Sequence, residues 1–174
     1  MTNRLACRLI GLILLLLPLQ PSQAATPRSA IPAPTGLWLT PGRGAVVAIS
    51  FCGADLCGRF VGLFLDRPTD PMPVDYRGIS QCHLLLITDA RQVRPNLWKG
   101  HITDPRNGHV WGVELHLDPN GNLALRGFFG VPLLGHTQTW TRYPGPTPAD
   151  CRIGPRAAIA VAGRPSPHGQ TIPR

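Results

Sequence analysis

The chain of 174 residues lacks the short motifs that mark the common enzyme classes. No serine lies in a G-x-S-x-G elbow, no histidine pair has H-x-H or H-E-x-x-H spacing, and phosphate loops and dinucleotide fingerprints are absent. Acidic side chains are also scarce, since Glu114 is the only glutamate. We therefore predict a protein that is not an enzyme and that holds neither a cofactor nor a metal. A hydrolase of unknown type is the alternative.

Long apolar runs are missing as well. None reaches the ~20 residues that a helix needs to cross a bilayer, so we predict no transmembrane span. An apolar run at 9–17 instead follows two arginines and precedes the small residues at 22–24, which form a cleavage context of the A-x-A kind. Residues 1–24 are therefore predicted to be a signal peptide that is cleaved near Ala24. We expect the mature protein to be periplasmic or secreted.

The cysteines do not form a C-x-x-C redox motif or paired zinc knuckles. In an exported protein the four that follow the leader favour structural disulfides, which the sequence alone allows to pair in three ways. In CGADLCG, four residues separate Cys52 from Cys57, a spacing that suits a bridge across a tight hairpin and leaves Cys82 and Cys151 for the second bond. By chain entropy the short loop would contribute ~2 kcal/mol and the long one ~4 kcal/mol.

The excess of basic residues is not a signature of nucleic-acid binding. The formal net charge is +8, but the stretch 36–142 holds ten basic residues against eight acidic ones. The other seven arginines lie before residue 36 or after residue 142, so we predict no nucleic-acid partner. A basic tail in an exported protein suits contact with an anionic envelope surface or an envelope protein, or it is a solvated segment that aids solubility.

Composition divides the chain after the leader into three segments. Residues 25–35 are rich in proline and alanine and are predicted to be a linker. Residues 36–143 contain short apolar runs separated by Gly, Pro, Asn and Asp, with no helical period, which is typical of an all-β domain. Prolines recur through 144–174, so we predict a tail that is joined to the domain at Cys151 and is mostly disordered past Ile153.

Two Asp-Pro turns that end in Asn-Gly connect strands in the second half of the domain. In ITDPRNGHV and LDPNGNL the aspartate can bond forward to the backbone, proline presets φ, and glycine takes the site with φ > 0. About eight strands linked in this way favour a small antiparallel up-and-down β-barrel, because closure removes the exposed sheet edges. Such a barrel has room for packed side chains or one small ligand. The predicted strands are 37–39, 45–51, 59–65, 83–88, 97–102, 110–117, 122–129 and 136–142.

Side-chain alternation separates core faces from a candidate site. On the strand predicted at 122–129, Leu123, Leu125 and Phe129 share one apolar face, which we assign to the core. The last strand differs, because its tryptophan shares a side with polar residues. If Trp140 points inward, a polar patch lies inside an apolar cavity and forms a candidate binding site. In the alternative, the threonines of this strand pack inward or its last residues merely close one end. The side in question carries His136, Gln138, Trp140 and Arg142.

The block from Trp98 to Arg142 resembles the core of the DUF2147 family of bacterial proteins. Residues that follow the family pattern include Gly36, Trp38, the CGADLCG segment, Trp98, Gly100, Asp104, Pro105, Arg126, Gly127 and the closing TQTWTR. The resemblance implies a small exported domain and carries no catalytic residue across. Gly36 and Trp38 with Arg142 are also similar to the lipocalin arrangement, in which an arginine of the closing strand covers a G-x-W tryptophan.

Two functions are compatible with these features. In the first, the barrel is an envelope binding module for a small apolar or amphipathic ligand, with tryptophans as walls and polar side chains fixing a head group. In the second, the barrel is filled and the protein acts through its surface, as a structural or interaction domain. An internal cavity of ~300 Å3 or more would favour the first. The candidate ligand-binding residues are Trp38, Trp98, Trp111, Arg126, His136, Gln138, Trp140 and Arg142.

Overall fold

The computed structural model describes residues 33–155, which form strands joined by turns and two short 3-10 helices. The predicted signal peptide, most of the predicted linker and the tail from residue 156 onward lie outside the described residues. In this part of the chain no helix is long and apolar enough to cross a membrane. The strands are β1 (Gly36–Leu39), β2 (Ala45–Cys52), β3 (Asp55–Phe64), β4 (Leu85–Arg94), β5 (Leu97–Thr103), β6 (Val110–Leu117), β7 (Leu123–Phe128), β8 (His136–Arg142) and β9 (Arg152–Ile153).

The first eight strands close into an antiparallel barrel. Each strand from β1 to β8 pairs with the next one along the chain, and β8 pairs back onto β1. The closing ladder has two residue pairs, Trp38 with Arg142 and Leu39 with Thr141. The predicted all-β, lipocalin-like barrel of about eight strands is thus confirmed, although β3 begins earlier and β4 ends later than predicted.

Both Asp-Pro turns form hairpins, and their aspartates anchor them. The carboxylate of Asp104 accepts from the backbone N–H and the guanidinium of Arg106, which holds the pKa of this carboxyl below its ordinary value of 3.8. Asp118 accepts from the backbone N–H groups of Asn120 and Asn122, at 2.9 and 2.8 Å. The glycine of each turn has a positive φ, as its place in the motif predicts. These acids therefore serve the fold.

A cluster of buried side chains occupies the barrel interior. Three of the four tryptophans belong to it, together with aliphatic residues from β2, β3, β4, β6 and β7. Phe129 does not, and its assignment to the core was wrong, because β7 ends at Phe128 and the next residue is 78% exposed. The members include Trp38, Val47, Leu56, Ile87, Trp98, Val113, Leu115, Leu123, Leu125 and Trp140.

Both disulfides have the predicted pairing. Cys52 and Cys57 bridge the β2–β3 hairpin, and Cys82 is joined to Cys151, with Cα–Cα distances of 5.8 and 5.6 Å. The second bond places the chain beside β3, where β9 pairs in parallel at Leu63 and Phe64. No strand was predicted at Arg152–Ile153, because prolines surround this segment. The ladder forms because the two residues of β9 are not prolines and directly follow the anchored cysteine.

The barrel has two ends that differ in construction. At the lower end lie the start of β1 and the β2–β3, β4–β5 and β6–β7 hairpins. At the upper end lie the connection 65–84, the β5–β6 turn and the β7–β8 loop of residues 129–135. Because β9 is parallel to β3, it runs toward the upper end, and the chain passes from it to Pro155 there.

Candidate functional site

An open pocket of about 430 Å3 lies at the lower end, between the β2–β3 and β4–β5 hairpins. Its volume is above the ~300 Å3 of a typical small-molecule site, but it is a recess at the end of a packed barrel and not an internal cavity. The rings of Phe51 and Trp98 meet edge to face in it, with centroids 5.9 Å apart. It is lined by Ala33, Phe51, Ala54, Asp55, Arg91, Gln92 and Trp98.

Trp98 differs from the other buried tryptophans in its hydrogen bonding. The indole N–H of Trp38 donates to the carbonyl of Pro34 at 2.9 Å, and that of Trp140 donates to Gln138 at 3.0 Å. Trp98 is only 4% exposed, yet its N–H has no acceptor among the described residues. Leaving a buried donor without a partner costs about 1–3 kcal/mol. Trp98 lines the pocket, but its N–H is itself buried and has no partner in the described part of the chain.

The rim of the pocket carries one pair of opposite charges. The guanidinium of Arg91 makes two contacts of 3.4 Å with the carboxylate of Asp55, and this neighbour raises the pKa of the arginine through hydrogen bonding and charge. Arg91 is largely exposed, so water screens the pair and it contributes little to stability. Because these contacts are long and exposed, the guanidinium has N–H groups that are able to donate to a second anion. An amphipathic molecule would find an aromatic wall here, and a rim on which one guanidinium stands beside one carboxylate.

The four side chains predicted to share one face of β8 alternate along a regular strand and do share it. Trp140 lies opposite Leu123 and is buried in the core. The four side chains do not gather into one polar patch. Trp140 packs in the core and bonds Gln138, which is itself exposed, while His136 is exposed at the upper end of the strand.

Arg142 continues this face to the lower end, where it covers Trp38. Its guanidinium carbon lies 3.9 Å from the centre of the indole ring, and it donates to the carbonyl of Thr35 at 2.6 Å. Gly36 has a φ of 120°, which other residues rarely adopt, and a Cβ atom there would also displace the same guanidinium, so both features favour the glycine of the G-x-W sequence. The pair has the arrangement that the lipocalin resemblance implies. It closes the barrel beside the pocket without lining it.

Arg126 and Trp111 lie elsewhere. Arg126 donates to the carbonyls of Pro132 and Leu133 at 2.6 and 3.1 Å, and to the hydroxyl of Thr137 at 2.8 Å. Its guanidinium is therefore used to hold the β7–β8 loop. Trp111 is 38% exposed at the upper end. Of the eight predicted ligand-binding residues, the structure brings Trp98 to the lower pocket.

The other pocket residues were missed by the sequence analysis. Phe51 directly precedes the hairpin cysteine, and an aromatic residue beside a hairpin disulfide is a signal that we did not use. Arg91 and Asp55 are separated by 36 positions, and they meet because β3 and β4 are neighbours in the barrel. Nothing in their local sequence marks them as partners.

A second recess, of about 270 Å3, lies at the upper end beside Asp75. Burial raises the pKa of this carboxyl, but hydrogen bonds from the N–H of Ile79 and from Arg77 outweigh burial and hold it below 3.8. The Arg77 guanidinium is 2.7 Å away. Asp75 is thus an ionised anchor of the connection 65–84, and it offers no free acid to the recess.

Comparison with known proteins supports the architecture. The model of a family described as an uncharacterised protein conserved in bacteria (DUF2147) matches residues 36–142. No curated protein matches the sequence. A solved structure, protein HP1028 from Helicobacter pylori, is described as belonging to the lipocalin family. It is 17% identical, with a TM-score of 0.55, over 64% of this chain and 83% of that one. Likeness at this identity shows a common fold.

Proposed function

Since the chain belongs to the DUF2147 family of bacterial proteins, we propose that it is a non-enzymatic binding module of the cell envelope that takes a small amphipathic ligand in the lower pocket. The observation that carries this proposal is the open aromatic recess of about 430 Å3, in which the rings of Phe51 and Trp98 meet edge to face and Arg91 stands at the rim. A lipocalin-like barrel supports it further, because small barrels of this kind serve as binding scaffolds.

The pocket lining defines the chemistry of the ligand. An apolar chain would lie against Phe51 and Trp98, whose rings supply the largest apolar surfaces there. An anionic head would pair with Arg91, which stands at the rim with Gln92 beside it. We therefore infer a single-chain amphiphile with a negatively charged head.

Export completes the proposal. Two disulfides in a protein of a bacterial family fit an oxidising compartment, and they are the observation that supports export. We propose that residues 1–24 are removed and that the protein acts in the periplasm or outside the cell. Mass spectrometry of protein purified from the producing cells is expected to show Ala25 as the first residue. Recovery of the intact leader on the mature protein would contradict this.

Ligand binding is tested with decanoate and decanol, which share an apolar chain and differ in the charge of the head. Decanoate is expected to raise the melting temperature and to change tryptophan emission, because a ligand at 100 times its Kd adds about 2.7 kcal/mol of stability. Phe51→Ala is expected to weaken the binding of both ligands. Arg91→Ala is expected to lower the affinity for decanoate about tenfold or more and to leave the affinity for decanol unchanged, since a hydrogen bond to a charged group contributes about 1.5–3 kcal/mol.

The matched control for this test is Arg94→Ala, because Arg94 is exposed on the same strand and does not line the pocket. This variant is expected to bind like the unchanged protein. No thermal shift with either ligand, or equal losses in the Arg91 and Arg94 variants, would reject the pocket.

A second function is supported by a different observation. The barrel interior is occupied by packed side chains, and the upper end exposes several large apolar ones. Both features suit a protein that acts through its surface, on an envelope protein or an anionic envelope surface. The exposed apolar side chains of the upper end are the physical basis for this second function.

A further inference from the structure

The β7–β8 loop exposes an unusual amount of apolar surface. Leu133 and Leu134 are 86% and 79% exposed, and Phe129 and Val131 are exposed beside them. The surrounding segment GFFGVPLLG, residues 127–135, contains no charged residue. Single exposed apolar residues are ordinary, whereas neighbouring ones on one loop mark a surface that contacts something apolar. We call these four side chains the apolar tip.

The apolar tip is held in place by the fold. Arg126 bonds the carbonyls of Pro132 and Leu133, and the N–H of Gly135 donates to Pro132 at 2.9 Å. The N–H of Val131 donates to Phe129 at 3.0 Å. A loop fixed by these bonds presents its side chains without a further loss of conformational entropy on contact. Arg126 therefore holds a loop whose apolar side chains are exposed to water.

An aromatic residue borders the apolar tip. The ring of Trp111 meets that of Phe129 edge to face, with centroids 6.1 Å apart, and Trp111 is half-buried. Val110, next to it, is also exposed. A tryptophan with one side on an apolar group and one side in water is typical of residues at the boundary between a membrane and water.

A basic stretch of sequence follows the point at which the described part of the chain ends. β9 runs toward the upper end, so the chain continues past Pro155 from the end on which the apolar tip stands. The nineteen residues from 156 to 174 contain three arginines and no acidic residue. Arg43 is exposed in the 3-10 helix at this end. An exposed apolar loop in a chain with a basic C-terminal sequence complements an anionic lipid surface, which offers acyl chains and negative head groups together.

We propose that the apolar tip inserts into the interface of an anionic phospholipid bilayer and attaches the barrel by its upper end. Leu133 and Leu134 enter the acyl-chain boundary, Trp111 lies at the level of the head groups, and the C-terminal arginines pair with phosphates. The lower pocket then faces away from the lipid. The attachment is independent of ligand binding in that pocket, so either proposal can fail without the other.

The test is flotation of the full chain, purified after export, with vesicles of phosphatidylglycerol and phosphatidylcholine in equal parts. Mass spectrometry first confirms that the leader is gone, since an uncleaved leader would itself bind lipid. The double variant Leu133→Ser with Leu134→Ser is expected to lower the partition coefficient about tenfold or more, because two large apolar side chains no longer leave water. Val93→Ser is the matched control, since Val93 is an exposed apolar residue near the lower end. It is expected to bind like the unchanged protein.

Two further measurements locate the contact and its charge. Trp111 is the one tryptophan with substantial exposure, so a blue shift of emission on vesicles is expected, and Trp111→Phe is expected to abolish it while flotation persists. Replacing Arg156, Arg164 and Arg174 by serine is expected to weaken binding to the mixed vesicles about tenfold or more, since each basic residue near an anionic surface strengthens the attraction to it.

Three results would overturn the proposal. The first is an unchanged protein that does not float with the mixed vesicles. The second is a leucine double variant that floats as well as the Val93→Ser control. The third is a concentration-dependent dimer that the double variant abolishes without any vesicle binding, which would assign the apolar tip to a second copy of the chain.

Discussion

Replacing Trp38 with alanine is expected to lower the free energy of unfolding by about 4 kcal/mol, within the range for a buried tryptophan truncated to alanine. Its side chain is fully buried and donates to Pro34, and the guanidinium of Arg142 stacks on its ring. It also lies at one of the two residue pairs that close β1 onto β8. The substitution removes packing, a hydrogen bond and the stacking partner of a cation together.

The measurement is urea unfolding followed by circular dichroism. Trp38→Phe keeps a ring under Arg142 and loses the indole donor, so a smaller decrease of about 1–3 kcal/mol is expected, close to the cost of an unsatisfied buried carbonyl. Trp111→Ala is the control for truncating a half-buried tryptophan, and a loss well below that of Trp38→Ala is expected. Equal losses for Trp38→Ala and Trp111→Ala would contradict the assigned role of the closing pair.

Removal of the long disulfide, with Cys82 and Cys151 both changed to alanine, is expected to lower the free energy of unfolding by about 4 kcal/mol. The bond closes a loop with a sequence separation of 69, so it restricts the unfolded chain strongly. It also anchors the residue that precedes β9, and the carbonyl of Cys151 accepts from the N–H of Leu63 at 2.7 Å. We expect β9 to separate from β3 before the barrel unfolds.

The matched control is the pair Cys52→Ala and Cys57→Ala, whose sequence separation is 5 and whose expected loss is about 2 kcal/mol. Both double variants are compared by denaturant unfolding without reductant, and hydrogen exchange at Leu63 and Leu65 reports on the β9 ladder. A larger loss from the short bridge than from the long one would contradict the chain-entropy argument.

The local sequence was sufficient to predict the strands of the barrel and the turns that connect them. Asp104 and Asp118 accept from backbone N–H groups only a few residues away, so the local sequence is enough to predict each turn. The alternation on β6 and β7 likewise predicts which side chains face inward, and Val113, Leu115, Leu123 and Leu125 do so. Alternation does not show where a strand ends, which is why Phe129 was misplaced.

The binding pocket was not accessible to the same reasoning. Phe51, Arg91 and Trp98 come from three strands, and they meet because barrel closure brings the ends of those strands together. Arg126 illustrates the same limit. Its sequence neighbours are compatible with a ligand-binding arginine, whereas the structure turns it outward onto the carbonyls of the next loop.

By itself the sequence determined the number and order of the barrel strands and the two Asp-Pro hairpins. Spacing favoured the observed pairing of the cysteines among three possible ones, and the stacking of Arg142 on Trp38 was implied by the lipocalin resemblance. These features depend on hydrogen bonds, spacings or motifs that span a few residues, or on chain ends that the barrel must join. The tertiary structure alone decided that Trp98 keeps an unsatisfied N–H, that Phe51 and Arg91 stand beside it, and that the β7–β8 loop projects into water. Those outcomes depend on the distances across a closed and twisted barrel, which no local periodicity encodes.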